Sequence, residues 1–352
     1  MKKLDPDGEI AMQTEYLNAA EDDGAVARAA QLLREGKLVA IPTETVYGLA
    51  ADALNGPAVA RIFEAKGRPQ DNPLIVHIAR EADWTPLVKE IPEAAHRLAE
   101  RFWPGPLTII LEKSGLIPDE VSAGLSTVAV RCPSHPAAQA VIRAAGRPLA
   151  APSANLSGKP SPTTAERVLE DMDGKIEAVL DGGPCAVGVE STVLSLAGAV
   201  PRLLRPGGVT AEQLREVLGT VELDAAVTDK LAPGAAAASP GMKYKHYSPR
   251  ARVIMIKGPA GPFADYVNAH KGPGVAALCF EEDKAGLSVP YLSYGARADA
   301  SAQAHALFEV LRALDDAGFS LVYAHSPEPS GVGLAVYNRL IRAAGFEVLT
   351  LA

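Results

Sequence analysis

The chain has 352 residues, 48% of them hydrophobic and 22% charged, with a formal net charge of −8. That length favours two domains, and the apolar share supplies a core for each. The acidic balance excludes a protein that coats nucleic acid through bulk charge, so any polyanion site must be a local basic pocket.

Residues 1–21 are polar and acidic and read as a loose extension; the first ten include two lysines but no apolar h-region. Asp22 or Asp23 is placed to cap a helix through Glu35, with Ala25, Ala29, Leu32 and Leu33 on one face and Gly36 as its stop. A buried strand at 37–42 runs into Thr43-Glu44-Thr45-Val46-Tyr47-Gly48. A helix follows at 56–66, a strand at 74–78, a helix at 92–102, strands at 107–111 and 127–132, a helix at 135–145 and a strand at 148–151. A polar loop leads to a helix ending near Met172, then come strands near 176–180, 192–196 and 201–205 and a helix near 210–218. Buried strands followed by Ser/Thr/Gly/Pro-rich loops imply a twisted mixed sheet with a ligand rim.

Residues 225–250 change character: an alanine-rich stretch precedes Ser239-Pro240-Gly241-Met242-Lys243-Tyr244-Lys245-His246-Tyr247-Ser248-Pro249. A plain spacer needs no such cluster of aromatic and basic residues, so this segment is expected to fold over a pocket. Strands and helices alternate again from 252 to 351, giving a smaller α/β domain with a parallel sheet. The expected divisions are 1–21 (extension), 22–224 (first domain), 225–250 (linker) and 251–352 (second domain). No run approaches the ~20 apolar residues of a membrane span, and a cytoplasmic protein is expected.

Standard motifs are mostly absent. Gly158-Lys159 lacks the upstream glycine of a phosphate-binding P-loop, and Gly331-x-Gly333 lacks the third glycine of a dinucleotide fingerprint. Cys132, Cys185 and Cys279 show no metal or disulfide spacing and read as small buried hydrophobes; Trp84 and Trp103 read as packing residues. The stretch Arg61–His77 carries more information. It starts as a helix, breaks at Gly67 and Pro69, and ends as a strand, leaving Lys66 and Arg68 at the mouth of the connection. Two cations there suit a triphosphate or, equally, form a solvated basic turn.

Eight motifs resemble one family. Pro42–Leu49, Lys66-x-Arg68 through Asn72–His77, Phe102–Thr108, Val130–Pro133, Ala151–Asn155, Ser161–Thr163, Gly188–Thr192 and Leu204–Gly207 are similar to the YrdC-like domain. With the 239–249 run and a second α/β domain, the chain resembles the long two-domain form of the threonylcarbamoyl-AMP synthases from about residue 22 onward. The resemblance implies a concave YrdC-like domain joined to a Rossmann-like α/β domain. It also implies an adenylyl transfer in which L-threonine, bicarbonate and ATP give threonylcarbamoyl-AMP and pyrophosphate, the first step in modifying the adenosine beside a tRNA anticodon.

By the same resemblance, Lys66 and Arg68 neutralise the triphosphate. Thr45, His77, Arg131 and Ser191 hold L-threonine. Arg68, Asn72, Thr127, Ser153, Asn155, Ser161, Arg205 and Tyr244 hold ATP, and Mg2+ rides on the ATP phosphates. Glu44 and Glu190 orient neighbours or cap loops. The downstream partner is a threonylcarbamoyl-transferase machinery; direct tRNA binding is left open. Two other classes fit the scaffold: an RNA-binding module without adenylating activity, and a carbamoyl-transfer domain of hydrogenase maturation. The net charge weighs against the first, and the missing cysteine clusters against the second.

Overall fold

The computed structural model describes residues 12–229 and 246–352. They fall into two compact units, one of residues 12–157 and 162–185, the other of 158–161, 186–229 and 246–352.

In the first unit the chain runs β1 (Glu15–Asn18), α1 (Ala25–Arg34), β2 (Val39–Ile41), β3 (Gly48–Asp52), α2 (Gly56–Lys66), β4 (Ile75–His77), α3 (Glu93–Phe102), β5 (Leu107–Glu112), α4 (Asp119–Ser122), β6 (Thr127–Arg131), α5 (Pro136–Ala145), β7 (Leu149–Ala150), α6 (Ala165–Met172) and β8 (Ala178–Asp181). Its strands lie in the order β1-β8-β2-β3-β7-β4-β6-β5. The sheet is mixed, as expected: β8 pairs in parallel with β1 and β2, and β4 with β6, while β2–β3, β3–β7, β4–β7 and β5–β6 are antiparallel.

Local signals explain α2 well. Asn55 accepts from Ala58 N at its start, Pro57 occupies the first turn, and Gly67 closes it at φ 59°. The apolar faces of α1 and α5 bury Ala29, Leu32 and Leu33 with Val141, Ile142 and Ala145 against Ile41 and Leu180. Each such leucine contributes about 1.5–3 kcal/mol, enough to hold the sheet's strand ends in place.

Two expectations need correction, and one strand was not read from the sequence. The loose extension is partly ordered, because Glu15–Asn18 extends the sheet beside β8. Neither Asp22 nor Asp23 caps α1: the N-cap is Gly24, and the Asp22 carboxylate instead accepts from Gly24 N at 2.8 Å. The stretch after Gly48 is a strand, β3, that continues straight out of the 42–47 loop.

The second unit contains β9 (Thr192–Ser195), β10 (Arg202–Arg205), α7 (Ala211–Leu218), β11 (Glu222–Leu223), β12 (Arg252–Lys257), α8 (Ala260–Ala269), β13 (Val275–Cys279), β14 (Tyr291–Ser293), α9 (Ala300–Asp316), β15 (Leu321–His325), α10 (Gly333–Ala343) and β16 (Val348–Thr350). The five strands β14-β13-β15-β12-β16 form a wholly parallel sheet. Phe263 and Val267 of α8 pack on Ile256, Ala277 and Tyr323 beneath it. Every residue of α10 is buried. Residues 186–224 lie in the same compact unit as the C-terminal residues.

Of the 225–250 segment, residues 230–245 lie outside the described residues, and so does the expected Tyr244. Its far end is anchored within the second unit. Tyr247 is buried at φ 62° with its ring 5.2 Å from that of Phe308, and Ser248 N donates to Gly158 O at 2.9 Å.

Candidate active site

The hub of the first unit's candidate residues is the loop at 42–47, which is buried throughout. The Thr43 hydroxyl folds it, donating to Val46 O at 2.6 Å, accepting from Thr45 N and Val46 N, and lying 2.9 Å from the Thr45 hydroxyl. Tyr47 anchors the loop's far end, with its hydroxyl 3.0 Å from Asp181 Oδ1 and 2.8 Å from Gly183 O. Thr45 is thereby held with 0% exposure.

Glu44 joins this loop to the strand ends. Its Oε1 stands 2.7 Å from Arg131 Nη2, an ion pair off the hydrogen-bond line, and its Oε2 accepts from Ser134 N at 3.1 Å. Arg131 Nε donates to Gly105 O at 3.4 Å. Arg131 ends β6 and His77 ends β4, and the two are register partners, so they stand side by side on one face of the sheet. His77 is buried, and its Nδ1 lies 3.2 Å from Ile75 O. Burial first, and the neighbouring Arg131 charge second, push its imidazole down from 6.5 to about 3. The ring is neutral at pH 7. Thr127 opens the same strand four residues earlier and shares Arg131's face, about 13 Å away at ~3.3 Å per residue.

A second group forms where α2 ends. Lys66 is only 3% exposed, and its ammonium donates to Ser153 O at 2.5 Å and Asn155 O at 2.6 Å. Ser157 N returns a bond to Lys66 O, and Gly48 bridges Ser153. Lys66 thus clamps the Ser153–Asn155 loop. Arg68 follows the left-handed Gly67; its N–H donates back to Phe63 O at 2.9 Å, which carries its side chain out of the helix axis. Its guanidinium is half-buried, 5.8 Å from the Phe63 ring and 3.4 Å from Asn72 O, and Asn72 itself is fully buried.

In the second unit, Ser161, Ser191 and Arg205 converge on Glu190. The Ser161 hydroxyl donates to Glu190 Oε1 at 2.5 Å. Arg205 donates from Nε to Ser191 O at 3.0 Å and from Nη2 to Ser191 Oγ at 3.2 Å. Arg339 of α10 donates from Nε to Glu190 Oε2 at 3.0 Å. Burial pushes the Glu190 carboxyl up, but the charges of Arg339 and Arg205 and the Ser161 hydroxyl outweigh it and hold the group below the usual carboxylate range.

Sequence reasoning left Glu44 and Glu190 without a fixed role and did not single out Tyr47 or Arg339. A carboxylate inside an otherwise buried loop was the available signal for both acids. Trp84 and Trp103 are packed edge to face at 4.9 Å, and all three cysteines are buried, as expected.

The chemistry of the first unit is that of a neutral imidazole beside a buried arginine, with a separate half-buried arginine and amide-rich loops. Groups of this kind suit a carboxylate and a polyanion. Among the described residues, no helix is long and apolar enough to cross a membrane.

Known proteins are similar to this chain along almost its whole length. The telomere-recombination (Sua5_yciO_yrdC) family profile matches residues 31–207, and the profile of the threonylcarbamoyl-AMP synthase C-terminal domain matches 209–345. A threonylcarbamoyl-AMP synthase of Bacillus subtilis is 48% identical over 93% of this chain and 95% of its own length, and one of Pyrococcus abyssi is 49% identical over 91% and 94%. The crystal structure of P. abyssi Sua5 complexed with L-threonine superposes with a TM-score of 0.89 at 44% identity, covering 96% of this chain and 99% of that one. The chain belongs to the threonylcarbamoyl-AMP synthase family.

Proposed function

We propose that this protein is an L-threonylcarbamoyladenylate synthase, converting L-threonine, bicarbonate and ATP into threonylcarbamoyl-AMP and pyrophosphate. The observation that carries this reading is the neutral His77 beside buried Arg131, in a chain alike over nearly its full length to a Sua5 complexed with L-threonine. Arg131, oriented by Glu44, takes the threonine carboxylate, with Thr45 and His77 beside it and Ser191 as a further threonine contact. The roughly 13 Å from Arg131 to Thr127 along one sheet face suits a product with threonine at one end and a nucleotide at the other.

The threonine amine and bicarbonate condense to a carbamate with loss of water. A carbamate oxygen then attacks the α-phosphorus of ATP, and pyrophosphate leaves. Such a transfer depends on positioning and charge neutralisation. Arg68 is the phosphate cation, Asn72, Asn155, Ser161 and Arg205 line the nucleotide, and Lys66 acts through the Ser153–Asn155 loop that it clamps. Tyr244 belongs to the nucleotide set by the resemblance, and residues 22–224 form the catalytic domain. Mg2+ is assigned to the ATP phosphates.

The product is a reactive mixed anhydride, suited to a threonylcarbamoyl transferase acting on the adenosine beside the tRNA anticodon in the cytoplasm. Mass spectrometry of a reaction with 13C-bicarbonate tests the reading. Labelled threonylcarbamoyl-AMP appearing only when ATP and L-threonine are both present supports it. Unlabelled adenylate, or none, refutes it.

A further inference from the structure

We infer that Arg339, a residue of the C-terminal helix α10, is a positioning residue for the synthase reaction: it sets Ser191 and Arg205 by gripping the residues beside them. Ser191 follows Glu190 directly, and Arg205 precedes Pro206. The Arg339 guanidinium holds both neighbours at once, donating from Nε to Glu190 Oε2 at 3.0 Å, from Nη2 to Glu190 O at 3.2 Å and from Nη1 to Pro206 O at 2.6 Å. Nη1 also donates to Asn338 Oδ1 at 3.1 Å. Ser191 and Arg205 then bond each other, through the serine carbonyl and hydroxyl. Four residues on two loops are thus tied into one frame by a single planar fork.

The frame has no slack. A Cβ on Gly207 would lie 2.3 Å from Thr192 N and 2.6 Å from Ser191 C, so the two loops meet backbone to backbone. Arg339 itself is 0% exposed, on a helix buried along its whole length. A buried ion pair is a poor device for stability alone, because apolar side chains of similar size commonly do as well or better. Here the guanidinium ends on the chain neighbours of two candidate substrate residues, the arrangement by which an outer residue orients an inner one. This gives the C-terminal domain a share in the reaction, whatever the linker does.

The inference rests on the synthase reading, and the test separates the two. Arg339→Lys, Arg339→Met and Glu190→Gln are compared with the parent for fold, by circular dichroism, and for kcat and the KM of L-threonine and ATP well below the melting temperature. The expected result is a 10–100-fold loss of kcat/KM carried mainly by raised KM values. Arg339→Lys, which keeps the charge beside Glu190 but loses the fork, falls between the parent and Arg339→Met. Folded variants with both KM values within twofold of the parent overturn the inference, as does a lowered melting temperature with unchanged kinetics. Loss of fold in all three makes the pair a fold brace and overturns it too. A parent that forms no threonylcarbamoyl-AMP instead removes the synthase reading, and the inference with it.

Discussion

Replacing Lys66 by methionine separates two roles that the sequence alone cannot distinguish. Methionine matches the length of the lysine stem, so packing changes little and the perturbation is the loss of the ammonium. That group makes charge-assisted hydrogen bonds to Ser153 O and Asn155 O at 2.5 and 2.6 Å. Each is worth about 1.5–3 kcal/mol, and losing both strands two carbonyls that the lysine satisfied. Relief of the buried charge offsets part of this, leaving a net loss of about 2–4 kcal/mol. Urea unfolding at pH 7 measures it, with Arg68→Ala as the control. Arg68 is half-buried and its bond to Asn72 O is long, at 3.4 Å, so its removal should shift stability by less than about 1 kcal/mol while abolishing turnover. A Lys66→Met protein as stable as the parent yet inactive would refute the clamp and return Lys66 to the triphosphate.

Two further predictions concern the threonine end. The His77 imidazole falls from 6.5 in the unfolded chain to about 3 in the fold, so the unfolded state binds the extra proton between those values. Its contribution to stability is therefore full above pH 6.5 and is lost as pH falls toward 3. Between pH 7 and pH 5 the parent should lose about 2 kcal/mol that a His77→Gln variant does not, read by parallel urea titrations; identical pH slopes contradict this. Glu44→Gln leaves the buried Arg131 without its counter-charge and should cost about 3 kcal/mol together with a raised KM for L-threonine. Unchanged stability would show that Arg131 does not depend on Glu44.

Much of the fold was legible because its signals are local. The caps of α2 lie within its own turns, at Asn55, Pro57 and Gly67, and the helix was read at about 56–66. The parallel C-terminal sheet follows from strands alternating with helices. The misses depend on distant partners. Glu15–Asn18 has no strand character of its own and is ordered by Ala178–Asp181, far along the chain. Gly48–Asp52 is rich in glycine and alanine, weak strand formers, and pairs because both flanking strands are in place.

The site divides in the same way. His77 was readable as a polar residue ending an apolar strand, and Arg131 was named by the family resemblance. The Lys66 contacts were not legible, because they depend on carbonyls 87 and 89 positions away. Arg339 sits in a helix that reads as an ordinary amphipathic one, and its partner Glu190 is 149 positions off. A buried arginine and a solvated one look alike until the acid opposite is known.

The central claim is most directly tested by pyrophosphate release from ATP, with L-threonine and bicarbonate omitted singly and with serine and glycine in place of threonine. The account predicts release that requires both threonine and bicarbonate and is weak with either substitute. Release indifferent to threonine, or no release from folded protein supplied with magnesium, would contradict it.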